Sequence, residues 1–417
     1  MKKKIWIWNH YATDMFDNKG GRHYWFADNL IKKGYDVTVF CANTYHNKQD
    51  VIRINEKKYK KSSVNNISFV FVKTTKYKGN GLDRIKNMFT FYKNLIYVAK
   101  KFIKEKDRPD VILASSVHPL TLVAGIKIAK KYKIPCICEV RDLWPESLVA
   151  YGLLKRNSLI TKLLYRAEKW IYINADSIIM TWEGGKDYII DKGWDNQIDI
   201  SKITHISNGL DLNAFDRNSQ KYVVSDSDLD STKHKKVLYT GSIRKVNNLG
   251  IILNVAKLIK ANGINDIKFI IYGSGEEKEA LEERCKKKNI ENVIFKGYVE
   301  KKFIPSILKK ADINILHNTS TSLDKYGQSQ NKLFEYLAAG RCIVQTYKTN
   351  YSICEINNCG INASEQTENE ITNAIIKAYK NDDIRSEMGK NARKTAYEYD
   401  FNKLTEKLIS VIENVSI

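Results

Sequence analysis

The segment from Gly327 to Thr346, GQSQNKLFEYLAAGRCIVQT, carries the most specific structural signal in this chain. A polar, glycine-marked loop leads into a short predicted helix from Lys332 to Ala339, and Gly340 ends that helix. The apolar run from Cys342 to Val344 then predicts a buried strand. Such a loop-to-helix junction points backbone N–H groups and the positive end of the helix dipole at one place. An anion, above all phosphate, suits that position.

The length of the chain limits what this junction can belong to. At 417 residues the chain exceeds what one hydrophobic core usually supports, so we expect two domains of about 200 residues each. Its apolar content of 43% is ample for two cores. No run of about 18 apolar residues is present, and the apolar stretch near the basic amino terminus is too short for a signal peptide. We therefore expect a cytoplasmic protein.

The seven cysteines form no CxxC pair. Cys136 and Cys138 lie in an apolar, strand-like run, where they would point to one face. This pattern favours buried, reduced thiols over a disulfide or a metal site.

The net charge of +22 indicates an acidic partner. Nucleic acid, anionic lipid and phosphorylated small molecules all fit that charge, but no recognisable nucleic-acid-binding module is present, and we expect no nucleic acid partner. Residues 76–108 carry ten Lys or Arg against three acids, interleaved with aromatic and aliphatic residues. This pattern resembles an amphipathic helix on an anionic membrane surface. The alternative is a solvated helix whose apolar face packs on its own sheet.

Strand-like and helix-like segments alternate along nearly the whole chain, which predicts an α/β protein with doubly wound parallel sheets. All seven tryptophans precede the polar, aperiodic residues 216–236, so two units with different cores fit better than one large sheet. We predict domains at 1–215 and 237–396, a linker at 216–236 and a closing helical segment at 397–417. The predicted strands are Ile5 to Trp8, Val37 to Cys41, Ile67 to Val72, Val111 to Ala114, Cys136 to Val140, Ser177 to Thr181, Ile203 to Ile206, Val237 to Thr240, Phe269 to Tyr272, Val293 to Phe295, Ile313 to Leu316 and Cys342 to Val344.

Ligands of such sheets bind outside the carboxyl ends of the strands, so residues just after each strand are candidates. His10 follows the first strand, and Gly20, Gly21 and Arg22 open the next helix, where a phosphate could bind. A tight turn would need the same two glycines. His118 follows the fourth strand and could donate a hydrogen bond to a hydroxyl or phosphate, although a lone histidine is more often structural.

The fifth predicted strand ends in Arg141, Asp142, Trp144 and Glu146. Such a cluster can grip hydroxyls, stack on the face of a sugar and bind an anion. The alternative is a structural cluster whose ion pairs satisfy one another.

In the second half, three strand ends carry glycines or cations. Gly241, Arg244 and Lys245 follow the first strand, and two adjacent cations there would stabilise a departing diphosphate. The GxG of Gly273, Ser274 and Gly275 is half of a dinucleotide fingerprint and is weak alone. Tyr298 follows a later strand, at a place where backbone could contact a planar base.

Seven segments occur in an order and spacing similar to family 4 glycosyltransferases, and the resemblance covers almost the entire chain. They are Gly20-Gly21, RDLWPES from Arg141, SNGLD from Ser207, YTGSIRK from Tyr239, YGSGEE from Tyr272, FKGYV from Phe295 and NKLFEYLAAG from Asn331. The resemblance implies a retaining enzyme with the GT-B fold, in which two Rossmann-like domains face each other across a cleft. The closest branch is that of the L-fucosamine transferases of bacterial surface-polysaccharide synthesis.

The resemblance also implies roles for individual residues. Glu335 resembles the second acid of the family's E-x7-E motif, which holds the ribose hydroxyls of the nucleotide. Arg244 and Lys245 would neutralise the donor diphosphate. His118 and Asp142 would also have catalytic roles. The implied donor site comprises Gly20, Gly21, Gly241, Gly273, Ser274, Gly275, Tyr298, Ser329, Asn331, Lys332 and Glu335, and the implied acceptor site comprises His10, Arg22, Arg141, Trp144 and Glu146.

Two departures from the family pattern affect these roles. Gly327 stands where the first acid of E-x7-E is expected, so the contact with the donor sugar is changed or missing. The histidine that many relatives place after the fifth strand is replaced by Arg141 and Asp142.

The resulting prediction is a transferase that moves an N-acetylated or deoxy hexose from a nucleoside diphosphate, UDP favoured, to a lipid-linked glycan at the inner face of the membrane. Catalysis would rest on orientation and on electrostatic stabilisation of the diphosphate, without a cofactor or metal. Asp226-Ser227-Asp228 spells the DxD of metal-dependent enzymes, but it lies in the predicted linker, where a solvated acidic segment is favoured. A sugar-nucleotide epimerase and a catalytically silent nucleotide-sugar-binding partner remain as alternatives.

Overall fold

The computed structural model describes residues 2–46, 50–55, 57–79 and 81–415. They form two compact units, one from Met1–Ser207 with Phe401–Ile417 and the other from Asn208–Asp400. Each unit is built around a largely parallel sheet with helices on both faces, so the predicted doubly wound α/β class is confirmed.

The sheet of the first unit has eight strands in the order β3-β4-β2-β1-β5-β6-β7-β8. All neighbours run parallel except β3 and β4. The strands are β1 Lys4–Asn9, β2 Asp36–Ala42, β3 Tyr59–Val64, β4 Ile67–Val72, β5 Val111–Ser115, β6 Cys136–Val140, β7 Ser177–Met180 and β8 Ile203–His205.

Strand β3 lies at the edge of the sheet and is absent from the strands predicted from the sequence. Its sequence YKKSSV is polar, and it pairs with β4 through a tight turn at Asn65 and Asn66, both with positive φ. Two consecutive residues of this kind are typical of a hairpin, and they are the signal that could have identified the strand.

Among the described residues of the first unit, seven helices precede the unit boundary. They are α1 Thr13–Asn18, α2 Arg22–Lys32, α3 Leu82–Lys104, α4 Leu120–Tyr132, α5 Glu146–Ala150, α6 Leu159–Asn174 and α7 Gly185–Asp191.

Helix α3 covers most of the basic, aromatic residues 76–108. Its main apolar face, including Met88, Phe91, Leu95 and Phe102, is buried inside the unit. Most apolar residues of α3 are therefore explained by packing of the helix inside its own unit, which is the alternative stated above. Leu82, Ile85, Phe89 and Tyr97 stay exposed.

The sheet of the second unit has six parallel strands in the order β11-β10-β9-β12-β13-β14. The strands are β9 Lys235–Thr240, β10 Ile267–Tyr272, β11 Val293–Gly297, β12 Ile313–Leu316, β13 Cys342–Gln345 and β14 Gly360–Asn362. The helices are α8 Leu212–Lys221, α9 Gly250–Ala261, α10 Lys278–Lys287, α11 Ile304–Lys309, α12 Asn331–Ala339, α13 Ile353–Ile356, α14 Glu368–Lys380 and α15 Asp382–Ala396.

Residues 216–236 belong to the second unit rather than forming a separate linker. Helix α8 runs into them, and Leu229 is fully buried in the core of that unit. Lys296 forms ion pairs with both Asp226 (2.8 Å) and Asp228 (2.6 Å). The polar sequence was misleading because its acids are paired with lysines, and the boundary lies after Ser207, not after residue 215.

The chain ends in α16, Phe401–Asn414, which is assigned to the first unit. Phe401, Leu404 and Leu408 are buried, and the Phe401 ring packs edge-on against Phe26 of α2 with 5.3 Å between ring centroids. Residues 397–400, predicted to belong to the closing segment, lie in the second unit.

All seven cysteines are buried and free, in agreement with the prediction of reduced thiols. Within the described ranges, no helix combines the length and the apolar character needed to cross a membrane.

Candidate functional site

Each sheet has one point where the strand order reverses direction, and ligands of doubly wound sheets bind there. In the first unit this point lies between β1 and β5, and in the second between β9 and β12. A ligand site is therefore expected at the loops that follow these four strands.

His10 and His118 meet at the reversal point of the first unit. His10 follows β1, His118 follows β5, and their Nδ1 and Nε2 atoms lie 2.6 Å apart. Both rings are buried, and burial lowers the pKa of His118 to about 3 and that of His10 well below its usual value. The pair is therefore neutral near pH 7. It can exchange hydrogen bonds with a ligand, but it is too weakly basic to act as an efficient general base.

Glu139, the next-to-last residue of β6, organises the neighbouring strand ends. It accepts hydrogen bonds from Arg22 Nε (2.8 Å), His23 Nε2 (2.8 Å) and Ser115 Oγ (2.6 Å), all buried. Burial alone would raise the pKa of Glu139, but the charge of Arg22 and the contacts with His23 hold it well below the usual range. The carboxylate is therefore ionised.

Arg22 was predicted to bind an acceptor, and in the structure its side chain is engaged inside the unit. Its guanidinium is buried against Glu139 and also donates to the carbonyl oxygens of Ile206 and Ser207. These partners occupy its N–H donors inside the unit. Arg22 is therefore a structural brace that connects the Gly20-Gly21 turn to the backbone at Ile206 and Ser207.

Glu146 was also predicted to bind an acceptor, and it too is engaged internally. Its buried carboxylate accepts hydrogen bonds from Arg156, Tyr165 and Lys192. The alternative of a self-satisfying ion-pair cluster applies to this residue. Arg141, Asp142 and Trp144 differ, because the Asp142 side chain is exposed and the other two are half-buried beside it.

Gly20 and Gly21 form the turn into α2. Gly21 has a φ of +101°, and a Cβ there would lie 3.1 Å from Met15 Cγ. The turn therefore needs glycine at this position for conformational reasons, whatever it binds.

In the second unit, the loops after β9 and β10 pack directly on each other. A Cβ on Gly273 would lie 1.8 Å from the Gly241 carbonyl oxygen, and a Cβ on Gly275 would lie 2.1 Å from that of Ile243. The Ser274 carbonyl accepts from Ile243 N at 2.9 Å. Close approach of the two loops is thus sufficient to require the GxG sequence, and the two glycines are not by themselves evidence of a ligand.

Helix α12 starts at the reversal point of the second unit. Thr240 N at the end of β9 donates to the Tyr336 hydroxyl at 3.0 Å, which fixes the helix against the sheet. Lys332, in the first turn, donates to the His317 carbonyl at 2.7 Å and lies 4.7 Å from the Tyr239 ring centroid. Burial lowers the pKa of Lys332 to about 7. The amine also donates to the Tyr239 hydroxyl at 3.5 Å. An amine held by a carbonyl and a phenol beside a helix start is suited to receive an anion.

Glu335 lies one turn further along α12. Its carboxylate is 18% exposed and pairs with Lys301 Nζ at 3.2 Å. Tyr298 lies on the same connection as Lys301, after β11, and is 72% exposed. A ligand that contacts Glu335 therefore also meets Lys301, a residue absent from the predicted site.

The loop before α12 is held by a buried acid. Asp324 accepts from Ser320 Oγ (2.8 Å), Thr321 N (2.8 Å) and Gln328 Nε2 (2.5 Å). Gly327, where an acid was expected by resemblance, has a φ of +91°. Only glycine adopts this conformation without strain, so the loop geometry itself accounts for the missing acid.

The remaining predicted residues lie around this junction. Arg244 and Lys245 are exposed, and Arg244 Nε donates to Ser242 Oγ at 3.2 Å. Ser329 accepts two hydrogen bonds from Asn208, through its hydroxyl (2.7 Å) and its carbonyl (2.6 Å). Asn331 is exposed at the first position of α12.

No cluster of three or more His, Cys, Asp or Glu side chains that could hold a metal ion was found in the part of the chain that the structure describes. The carboxylates of the Asp226-Ser227-Asp228 sequence are paired with Lys268 and Lys296.

Comparison with known families agrees with this geometry. Residues 24–214 match the family described as "Glycosyltransferase Family 4", and residues 225–395 match "Glycosyl transferases group 1". The chain carries two glycosyltransferase domains. The first match includes strands β2 to β8 of the first sheet, and the second includes all strands of the second sheet, β9 to β14.

Individual relatives are distant. The chain is 22% identical to poly(ribitol-phosphate) alpha-N-acetylglucosaminyltransferase of Staphylococcus aureus, over 97% of this chain and 74% of that protein. It is 27% identical to 2-deoxystreptamine N-acetyl-D-glucosaminyltransferase of Niallia circulans over 47% of this chain, which spans about half (49%) of that relative.

The fold is shared with solved glycosyltransferase structures. Anabaena HepE in complex with UDP and glucose superimposes with a TM-score of 0.65 over 99% of both chains, at 14% sequence identity. The glycosyltransferase domains have the GT-B fold, as the sequence predicted.

The Arg22 brace predicts a large stability loss on substitution. In Arg22→Met, the buried Glu139 carboxylate loses its charged partner, and we expect the free energy of unfolding of the first unit to fall by about 3–5 kcal/mol. All seven tryptophans lie in this unit, so urea unfolding followed by tryptophan fluorescence reports on it selectively. The control Lys32→Met removes the more exposed pair with Asp28 and should cost less than about 1 kcal/mol. Similar losses in the two variants would contradict the brace.

Lys332 predicts a pH dependence of stability in the second unit. Its folded pKa of about 7 lies below the unfolded value near 10.4, so the unfolded state binds more protons between these values. The ligand-free protein should therefore gain stability as pH rises from about 7 to 10, and Lys332→Met should lose that gain. Calorimetric unfolding between pH 6 and 9 measures it, with replacement of the exposed Lys286 by Met as control. Parallel profiles for wild type and Lys332→Met would exclude this role of burial.

Proposed function

We propose that this protein is a retaining glycosyltransferase that moves a sugar from a nucleoside diphosphate to a lipid-linked glycan in capsule, O-antigen or related surface-polysaccharide synthesis. The observation that carries the proposal is the start of α12, where the half-buried Lys332 and the Glu335 carboxylate lie at the reversal point of the second sheet. A cation lies beside the helix start, and a carboxylate follows one turn later. This order matches the order of phosphate and ribose in a nucleotide, since the cation suits the phosphate and the carboxylate suits the ribose hydroxyls.

The donor would bind in the second unit. Lys332 and the first N–H groups of α12 would contact the diphosphate, with Arg244 and Lys245 on the neighbouring loop. Glu335 would accept hydrogen bonds from the ribose hydroxyls, and the exposed Tyr298 would lie near the base. UDP is favoured because the structural neighbour HepE is described in complex with UDP.

The donor sugar is proposed to be an N-acetylated or deoxy hexose. Two of the relatives are named as N-acetylglucosaminyltransferases, which supports an N-acetylated sugar. With Gly327 in place of an acid, backbone N–H groups around Gly327 and Gln328 would contact that sugar instead. The narrower resemblance to L-fucosamine transferases belongs to this proposal as well.

The acceptor would bind in the first unit, at the end of β6. Arg141, Asp142 and Trp144 keep side chains at that strand end that are not fully engaged elsewhere, unlike Arg22 and Glu146. His10 and His118 would provide neutral hydrogen-bonding groups from the adjacent reversal point. A lipid-linked acceptor at the cytoplasmic face of the membrane is consistent with the net charge of +22 and with the reduced cysteines.

In the proposed mechanism, the acceptor hydroxyl attacks the anomeric carbon on the face from which the diphosphate departs. The bond from that carbon to the diphosphate oxygen breaks as the new glycosidic bond forms, and the hydroxyl proton passes to the leaving oxygen. Arg244, Lys245 and Lys332 stabilise the negative charge that develops on the diphosphate. We propose that these cations fulfil this role without a metal ion.

Turnover of a defined donor distinguishes the candidates. UDP-N-acetylglucosamine is incubated with and without a polyprenyl diphosphate-linked N-acetylhexosamine, and UDP release and the anomeric configuration of the product are measured. We expect UDP release only with acceptor, retained configuration and no loss of rate with a chelator. Conversion of the donor without acceptor would indicate an epimerase, and binding without turnover across donors and acceptors would indicate a silent partner. Strict dependence on added manganese or magnesium would overturn the metal-free mechanism.

Replacing Glu335 with Gln should weaken UDP binding. A charge-assisted hydrogen bond is worth about 1.5–3 kcal/mol, so we expect the Kd to rise about 10-fold to 100-fold by titration calorimetry. Glu300→Gln is the matched control, because Glu300 lies on the same connection as Lys301, is largely exposed and pairs with Lys302. Equal UDP affinity of Glu335→Gln and wild type would show that Glu335 does not bind the ribose.

A further inference from the structure

The segment that follows the end of β6 presents an unusual apolar surface. Leu153, Leu159, Ile160 and Leu163 are each between 65% and 85% exposed, in the loop before α6 and in its first two turns. We call these four residues the α6 patch. Single exposed leucines are normal on soluble proteins, but four within eleven residues form a concentrated apolar surface.

The exposed charged residues in the segment of the α6 patch, Tyr151 to Ile173, are all basic. Lys155, Lys162 and Arg166 are exposed among or beside the patch residues. From Tyr151 to Ile173 the only acid is Glu168, which is buried and accepts hydrogen bonds from Tyr172 and Tyr188. The surface thus combines aliphatic side chains with cations that no exposed acid in the segment balances.

The start of α3 is also apolar and carries an exposed lysine, although Asp83 is an exposed acid in its first turn. Leu82, Ile85 and Phe89 are between 48% and 82% exposed, and Lys86 is exposed beside them. Helix α4 packs between α3 and α6, through hydrogen bonds from Lys127 to Tyr92 and from Lys130 to Asn174.

The topology places both apolar clusters at the same edge of the sheet. Helix α3 follows β4 and α6 follows β6, both strands of the parallel part of the sheet, so both helices begin at the carboxyl edge. That edge also carries Arg141 and Asp142, directly after β6.

We propose that the α6 patch, together with the start of α3, docks the first unit onto an anionic phospholipid bilayer. Aliphatic side chains interleaved with lysines fit the boundary between acyl chains and acidic headgroups. A second copy of this chain fits less well, because a two-fold contact would set the same cations of both copies against each other. A hydrated polyanion would contact the lysines but would gain nothing from Leu159, Ile160 and Leu163.

This inference narrows the predicted membrane contact. Most of the apolar face of residues 76–108 is buried, so only the first two turns of α3 take part, and α6 supplies the larger exposed apolar surface. The consequence for the acceptor rests on the proposed function. A lipid-linked sugar in the same bilayer would lie close to the end of β6 without leaving the membrane.

Vesicle binding of the full chain tests the proposal. Vesicles of phosphatidylcholine with 30% phosphatidylglycerol, about one third anionic lipid, serve as probe and pure phosphatidylcholine as reference, both measured by flotation. We expect the triple variant Leu159→Ser, Ile160→Ser, Leu163→Ser to bind anionic vesicles at least about tenfold more weakly than wild type. Ile356→Ser, an equally exposed apolar residue of the second unit, should bind like wild type.

A charge pair of variants separates this surface from net charge. Lys155→Glu with Lys162→Glu should weaken binding to anionic vesicles at least about tenfold, whereas Lys286→Glu with Lys288→Glu makes the same charge change on exposed lysines of the second unit and should have a small effect. Equal losses of binding in both pairs of variants would show that binding depends on net charge alone, and this would overturn the proposal.

UDP binding by each variant is measured in parallel. Because the donor would bind in the second unit, unchanged UDP affinity shows that this unit is intact, and urea unfolding followed by tryptophan fluorescence shows that the mutated first unit is folded. Lost vesicle binding with both properties unchanged supports docking. Absence of wild-type binding to anionic vesicles, unchanged binding of the triple variant, or a wild-type dimer in sedimentation that the triple variant dissolves would each overturn membrane docking. A failure to bind UDP in wild type would instead count against the proposed function alone.

Discussion

Both units depend on one constraint of parallel sheets: all strands end at the same edge, and the strand order must reverse where the chain winds first to one side and then to the other. At the reversal point the flanking helices diverge, so the loops there are not covered by a crossover. His10 and His118 meet at this point in the first unit. In the second unit the same point receives the start of α12, with Lys332 and Glu335.

The distribution of charge follows from what each buried group finds as a partner. Glu139 is ionised because Arg22, His23 and Ser115 surround it, and Arg22 in turn is fixed inside the unit. Lys332 donates to the His317 carbonyl and the Tyr239 hydroxyl and lies over the Tyr239 ring, and burial lowers its pKa to about 7. A buried group with its partners in place supports the fold, whereas one that lacks a counter-ion costs stability and can be repaid by a ligand. Arg22 and Glu146 have their charged partners inside the fold, whereas Lys332 lies beside no carboxylate in the contacts described above. All three were candidate binding residues in the sequence.

Much of the fold could be predicted because its strands are apolar runs with a clear period. All twelve predicted strands are present. The short strands β3 and β14 were missed, since YKKSSV and GIN lack that apolar signal. The predicted linker at 216–236 was wrong because Asp226 and Asp228 find lysines that are distant in sequence, and Leu229 is buried among residues from many elements.

The sequence by itself determined the fold class, the two-unit organisation and the position of the α12 junction, because periodicity, helix stop signals and glycine spacing are local properties. Only the tertiary structure decided which polar residues are occupied and which apolar residues remain exposed. Arg22 and Glu146 bind partners far away in the chain, Gly273 and Gly275 are required by the neighbouring loop, and the apolar face of α3 is buried while Leu159, Ile160 and Leu163 are not. Each of these outcomes depends on long-range contacts, which a local sequence pattern does not contain.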